Sequence, residues 1–127
     1  MANRTGVDKV RSSGFGMVDV PCSFTVTGSG GAINTQSTEF GACTVAVVAC
    51  ATGQYTFTFA EPYREFKGVT CISDYQGTVV DGSWAIETGY SNSAGTITLV
   101  HVTAGSDDDP ATGTEHFFVF KMKNTDL

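Results

Sequence analysis

Short runs of aromatic, β-branched and hydroxyl residues, separated by glycines, constrain this chain more than any other feature. The run 54–59 alternates ring and hydroxyl side chains residue by residue. The runs 96–102 and 116–122 are similarly rich in aromatic and β-branched residues. Runs of this kind specify strands that bury a face against other strands. We therefore expect an all-β fold: an antiparallel β-sandwich or jelly-roll-like fold with about seven to eight strands.

The N-terminal segment differs in character from the rest of the chain. A length of 127 residues corresponds to one domain, because single cores typically span about 100–200 residues. Residues 1–15 are polar and without hydrophobic period, and they carry Arg4, Lys9 and Arg11. Basic, non-periodic segments often order only against an acidic surface. We expect a flexible N-terminal arm over 1–15 and a single β-sandwich domain over 16–127.

The patterns also predict where individual strands lie. Residues 19–27 read as the first strand of the domain, and the apolar stretch 42–51 predicts a central strand buried on both faces. A turn at Thr52-Gly53 leads into the 55–59 strand and predicts a hairpin. A long acidic loop over 103–114 then precedes a closing strand over 115–123.

Charge and hydropathy exclude several classes of partner. The net charge of −6 argues against direct binding to nucleic acid or to an anionic membrane. No apolar run approaches the length of a membrane span, and the first seven residues lack the apolar stretch of a signal peptide. We expect a protein made and folded in the cytoplasm, with neither nucleic acid nor membrane as its partner.

The four cysteines fit a reducing compartment. Cys22, Cys43, Cys50 and Cys71 include no Cys-x-x-Cys pair, so they do not resemble a zinc knuckle. Three pairings are open, and the sequence does not choose among them. A Cys43–Cys50 disulfide requires a tight turn, because one straight strand would separate its ends by about 23 Å. Small buried thiols are the favoured interpretation.

Neither histidine falls in a catalytic motif. His101 shares a strand face with Ile97 and Leu99, and His116 shares a face with Phe118. The two rings could meet as neighbours or form a metal pair with a carboxylate. A semi-buried aromatic role with one hydrogen bond each is favoured. His-Glu-x-x-His and Gly-x-Ser-x-Gly motifs are absent from the sequence, so we predict no catalytic residue, no metal and no cofactor.

Two further groups of residues invite a binding interpretation. The consecutive carboxylates 107–109 offer oxygen ligands for calcium, but neighbouring carboxylates point in different directions. A solvated turn is favoured there, and calcium binding stays open. Trp84, Tyr63, Tyr75 and Tyr90 could form an aromatic platform for sugar, although rings in sandwich proteins usually lie in the core or at an interface.

Taken in order, these features resemble those of small structural proteins of tailed bacteriophages. The resemblance is carried by the basic arm, the segments 53–59 and 63–72, the strand 96–103, the acidic loop with its proline and glycine, and the aromatic strand 116–121. The chain is similar to capsid decoration (cement) proteins, which are compact β-sandwich or jelly-roll-like domains, commonly trimers. The similarity is one of pattern from about residue 17 onward, and head, tail and fibre components share it.

The resemblance implies a non-enzymatic virion protein that decorates and stabilises the capsid from outside by bridging capsomers. Its partners would be the major capsid protein and further copies of the chain, arranged as a trimer. Arg4, Lys9 and Arg11 of the arm, with Trp84 and Tyr90, are the predicted contact residues.

An alternative is a receptor- or carbohydrate-binding module of a tail fibre or surface protein. Such a module would stack sugars on Trp84 and the tyrosines, with calcium at 107–109.

Overall fold

The fold is all-β in a computed structural model that describes residues 11–12, 16–28, 33–36, 43–77 and 81–124. Within these ranges there are ten strand segments and no helix; eight segments have four residues or more, and β1 and β9 have two each. The strands are β1 Arg11–Ser12, β2 Met17–Val26, β3 Ile33–Gln36, β4 Cys43–Val47, β5 Gln54–Phe59, β6 Glu65–Asp74, β7 Gly82–Ser91, β8 Thr96–Thr103, β9 Ser106–Asp107 and β10 Glu115–Lys123.

Sheet A contains both ends of the described chain. Its order is β1-β2-β10-β6, and all neighbours are antiparallel. β10 pairs with β2 along nearly its whole length, so β1 and β3 share the other edge of β2. Arg11–Ser12, at the end of the predicted arm, therefore forms a short edge strand. The rest of the arm over 1–15 lies outside the described residues.

Sheet B has the order β4-β5-β8-β7, with β9 paired to the end of β8. The predicted hairpin is confirmed, because β4 and β5 pair from Cys43 with Phe59 to Val47 with Tyr55. Gly53 has φ +70°, a left-handed conformation that glycine adopts without steric cost. The two antiparallel sheets confirm the β-sandwich; the jelly-roll variant stays a prediction.

The prediction of a central buried strand over 42–51 was wrong. β4 ends at Val47 and, among the described residues, pairs with β5 alone. Its side chains alternate between the core and solvent, and Val47 is 36% exposed. Small apolar residues such as Ala46 tolerate exposure, so an apolar run does not by itself require burial on both faces. The closing strand, by contrast, has the bounds predicted for it.

The core is a layer of aromatic rings between the two sheets. Alternation along β10 buries His116, Phe118, Phe120 and Met122, and the facing strand β5 buries Tyr55, Phe57 and Phe59. The ring of Phe57 lies 4.8 Å from that of Phe118 and 5.1 Å from that of Phe120. Such pairs each add roughly 0.5–1.5 kcal/mol to the free energy of unfolding beyond the burial of their area.

Neighbouring phenylalanines on β10 provide a test of this arrangement. Phe118→Ala removes a ring that is 1% exposed, and we expect it to lower the free energy of unfolding by about 3–5 kcal/mol. Phe117→Ala, on the opposite face of the same strand, should lower it by less than about 1.5 kcal/mol. Urea denaturation of both variants measures the difference. Equal losses would contradict the assignment of faces.

Candidate functional site

A cluster of polar and aromatic side chains lies within the sandwich beside the phenylalanine layer. This histidine cluster consists of His101 from β8, His116 from β10, Ser73 from β6, Tyr75 just after β6, and Trp84 from β7. The two imidazole rings are 5.7 Å apart between centroids, and each is at most 1% exposed. The two histidines are therefore neighbours, which was one of the arrangements that the sequence left open. They are fully buried, however, and each makes two hydrogen bonds, one more than expected.

Hydrogen bonds determine which nitrogen of His116 carries the proton. The Thr114 hydroxyl donates its one hydrogen to the carbonyl of Ala111 at 2.7 Å. It can therefore only accept from His116 Nε2, 3.0 Å away. With Nε2 protonated, Nδ1 accepts from the Ser73 hydroxyl at 2.7 Å, and Ser73 Oγ accepts from Trp84 Nε1 at 3.4 Å. The chain of donors and acceptors is complete with His116 neutral.

His101 has the opposite tautomer. Its Nδ1 lies 3.2 Å from the main-chain carbonyl of Asp108, which can only accept, so Nδ1 carries the proton. Its Nε2 then accepts from the Tyr75 hydroxyl at 2.9 Å. Asp108 Oδ2 lies 4.0 Å from Nδ1 and accepts from the Thr103 hydroxyl at 3.1 Å. Both ring nitrogens of both histidines are thus engaged, which leaves no imidazole lone pair for a metal.

The acidic loop covers the cluster through main-chain contacts. The amide of Asp108 donates to the carbonyl of His101 at 2.9 Å, and the amide of His101 donates to the carbonyl of Gly53 at 2.8 Å. The amide of Gly53 donates to the Asp109 carboxylate at 2.6 Å. The loop is therefore bound to the β4–β5 turn. Within the described ranges, no group of three or more His, Cys, Asp or Glu is placed to hold a metal ion.

Burial keeps both imidazoles neutral. Desolvation, with a smaller contribution from His101, lowers the pKa of His116 from 6.5 to about 4. Desolvation also lowers the pKa of His101, and the Asp108 carbonyl and carboxylate oppose that shift. Ser73 and His116 have the spacing of a nucleophile and its base, but an imidazole with this pKa is a weak base. Thr114 occupies the position where a carboxylate would stabilise an imidazolium. The geometry favours a structural role.

A second feature lies on the outside of the sandwich. Ile72 is 69% exposed, Phe117 is 40% exposed and Val119 is 41% exposed. Phe117 pairs with Ile72 across β10 and β6, and Val119 pairs with Pro21 of β2. These four side chains therefore form a contiguous patch, which we call the outer apolar face. Exposed apolar patches of this kind mark interaction surfaces more often than single exposed residues do.

The outer side of sheet B has a different chemistry. Threonines alternate with buried apolar residues along β4, β5 and β8, and Thr56 and Thr98 hydrogen-bond each other at 3.1 Å. The outward threonines of these strands are Thr44, Thr56, Thr58, Thr96 and Thr98. Hydroxyl side chains with high β propensity suit a strand face that remains in water. The two outer faces of the sandwich are thus polar on sheet B and apolar on sheet A.

The predicted contact residues are scattered in the structure. Arg4 and Lys9 lie outside the described residues, and Arg11 contributes its backbone to β1. Trp84 is half-buried, with its ring centroid 5.0 Å from Phe118, and Tyr90 is half-buried beside Phe59 at 5.8 Å. The structure does not bring the arm and these rings together as one surface, and their role in partner contact stays a prediction.

The tyrosines of the suggested sugar platform are also engaged inside the molecule. Tyr63 is 1% exposed, and its carbonyl accepts a hydrogen bond from the Tyr90 hydroxyl at 2.6 Å. The Tyr75 hydroxyl is held by His101. Their rings are therefore part of the packing around the core and do not form an open stacking surface.

All four cysteines are free thiols. Cys22 and Cys43 are buried on facing sheets, Cys71 is half-buried and Cys50 is exposed. Contact with Cys22 and burial raise the pKa of the Cys43 thiol, and burial raises the pKa of Cys71 to about 11. Thiols held protonated in this way are weak nucleophiles.

The sequence interpretation missed most residues that complete these two features. Ser73 and Tyr75 bond to histidines 43 and 26 residues away, so no local pattern identifies these contacts. Thr114 lies two residues from its partner His116, but a threonine at that spacing is not a recognisable signal. The outer apolar face left a signal: 117–120 is apolar at odd and even positions alike. Such a run predicts a strand with two apolar faces.

No protein-family model, curated protein or solved structure matches the chain. The described segments contain no helix that is long and apolar enough to cross a membrane.

The buried histidines predict a stability that depends on pH. The unfolded chain takes up a proton near pH 6.5, whereas folded His116 resists protonation until about pH 4. Stability is therefore full above pH 6.5 and falls as the pH drops through that window, by about 3 kcal/mol for His116 alone. Urea denaturation from pH 7.5 to 4 measures the loss. His116→Asn should reduce the slope, and an imidazole titrating at 6.5 by NMR would contradict the prediction.

The close packing around His101 predicts an effect of one methyl group. A Cβ on Gly82 would lie 2.4 Å from the Tyr75 hydroxyl and 2.9 Å from His101 Nε2. Gly82→Ala should break that hydrogen bond and lower the free energy of unfolding by about 1–3 kcal/mol. Gly89→Ala, in the same strand, meets nothing within 4 Å and serves as the matched control. Equal stability of the two variants would refute the contact.

Proposed function

We propose that this protein is a non-enzymatic structural protein of a phage virion, which decorates the capsid and stabilises it by bridging capsomers. The observation that carries the proposal is the outer apolar face, in which Ile72, Phe117 and Val119 lie exposed on sheet A. A rigid sheet with an exposed apolar face suits a protein that works by contact with neighbouring proteins.

The histidine cluster supports the same proposal. Its polar atoms hydrogen-bond to one another and to the main chain. These hydrogen bonds connect β6, β7, β8 and β10. A cement protein needs such rigidity, because it resists the displacement of the subunits that it bridges. A contact of modest strength is then multiplied by the number of copies on a particle.

The proposed partners are the major capsid protein and further copies of the chain, as a trimer on the capsid exterior. β1, at the end of the predicted arm, pairs with β2 at the edge of sheet A. Arg4 and Lys9 precede it in the sequence and are the proposed contacts to a neighbouring subunit. Their charges complement an acidic capsid surface. The alternative sugar-binding role stays a prediction that no observation favours, since Trp84 packs against the core.

Removal of the arm's charges tests the proposal. We expect Arg4→Gln/Lys9→Gln to weaken cosedimentation with capsid shells by about tenfold, because two rim ion pairs contribute up to about 1 kcal/mol each. The shells are assembled from the proposed partner, a phage major capsid protein, without its own decoration protein. Thr44→Glu/Thr88→Glu, which makes the same change of two units in net charge at exposed positions of sheet B, is the control. Failure of the unaltered protein to bind shells would overturn the proposal.

A further inference from the structure

Charge is sorted along the outer apolar face. β10 presents Glu115, Phe117, Val119, Lys121 and Lys123 to the outside in that order. The face therefore begins with a carboxylate, is apolar in the middle and ends with two ammonium groups. Side chains on one face of a strand keep this order because they alternate with a period of two.

The flanking strand β6 repeats the same order. Asp74 pairs with Glu115 at the acidic end, and Ile72 pairs with Phe117 in the centre. Lys67 lies near the other end, 2.6 Å from Glu65. Lys121 contacts Asp19 of β2 at 3.0 Å.

The two ends therefore differ in net charge. Two carboxylates and no cation occupy the acidic end of β6 and β10, whereas three lysines face two carboxylates at the basic end.

We propose that the outer apolar face binds a second copy of this chain about a two-fold axis perpendicular to β10. Two sheets that stack face to face are related by an axis lying between them. If the axis runs along β10, Glu115 meets its own copy and Lys121 meets its own copy. If it runs across β10, the acidic end of each copy covers the basic end of the other. The distribution of charge selects the second arrangement.

The apolar residues set the register of this contact. With the axis between Phe117 and Val119, each Phe117 covers the Val119 of the other copy. Glu115 then lies over the Lys121 of that copy. The Lys121 ammonium has three donors, so it can bind Glu115 of the second copy while it contacts its own Asp19. Stacked sheets lie about 10 Å apart, which these side chains span.

The size of the face predicts a weak contact. β10 is about 26 Å long and the face is three strands wide, which corresponds to a few hundred Å² per copy at roughly 4.8 Å between strands. Stable complexes bury about 800 Å² per partner. The inference rests on the proposed function in one respect: the many copies on one particle raise the local concentration of the chain, so that a weak contact can form. A two-fold contact of this kind also links copies that belong to different trimers.

Sedimentation velocity on the purified full chain tests the contact without any capsid. We expect the mass to rise with concentration to at least twice that of the smallest species, because every copy offers one such face. Phe117→Asp should weaken the association at least tenfold. Ile86→Asp, which replaces a 50% exposed side chain on sheet B, should leave it unchanged. Circular dichroism is used to check that both variants fold. A mass that does not depend on concentration, or equal behaviour of the two variants, would overturn the inference.

Exchange of charges tests the two-fold register. Glu115→Lys alone places ammonium against ammonium, and Lys121→Glu alone places carboxylate against carboxylate, so each variant should associate at least fivefold more weakly. An equimolar mixture of the two restores both opposite-charge contacts and should associate like the unaltered protein. A mixture no stronger than its components would overturn the register. Because no shell is present, this result is independent of the cosedimentation assay, and either can fail alone.

Discussion

The pairing of β2 with β10 along nearly their whole length is the constraint on which the rest of the molecule depends. It places β10 in the interior of sheet A, with β6 on its other side. The strict alternation of side chains then assigns His116, Phe118, Phe120 and Met122 to the core. The residues between them are assigned to the outside by the same rule. A slip by one residue would exchange the two sets, so the core and the outer apolar face are specified together.

The histidine cluster shows how polar groups are accommodated in this core. An unpaired buried polar group costs roughly 1–3 kcal/mol, so a buried imidazole requires a partner at each nitrogen. The partners of His116 come from β6 and from the turn before β10, whereas those of His101 come from Tyr75 and from the acidic loop. The cluster therefore connects both sheets and one loop through directional contacts, which phenylalanine packing alone does not provide. Buried networks that are fully satisfied rigidify a core in this way.

Period and turn chemistry allowed much of the fold to be predicted. The ring–hydroxyl alternation of β5 and the Thr52-Gly53 turn identified the β4–β5 hairpin, and the parity of His101 and His116 placed both on inward faces. The position of β4 in its sheet was not predictable, because small apolar residues are compatible with an edge strand and with a central strand. The partner of His101 Nδ1 is a main-chain carbonyl in a loop, and no side-chain pattern encodes such a contact. The apolar residues of the outer apolar face could be recognised in the sequence. Their exposure could not be predicted, because it depends on which segments cover the sheet.

The same pairing of β2 with β10 has a consequence for biosynthesis. β2 cannot pair with β10 until the ribosome has synthesised the segment that ends at Lys123. Until then, Phe24 and the rings of β5 have no β10 to cover them. Folds dominated by distant pairings close slowly, and their nascent chains expose apolar surface meanwhile. Synthesis of β10 is therefore the step that closes the core, and a chain cut short before β10 would be a target for chaperones and proteases.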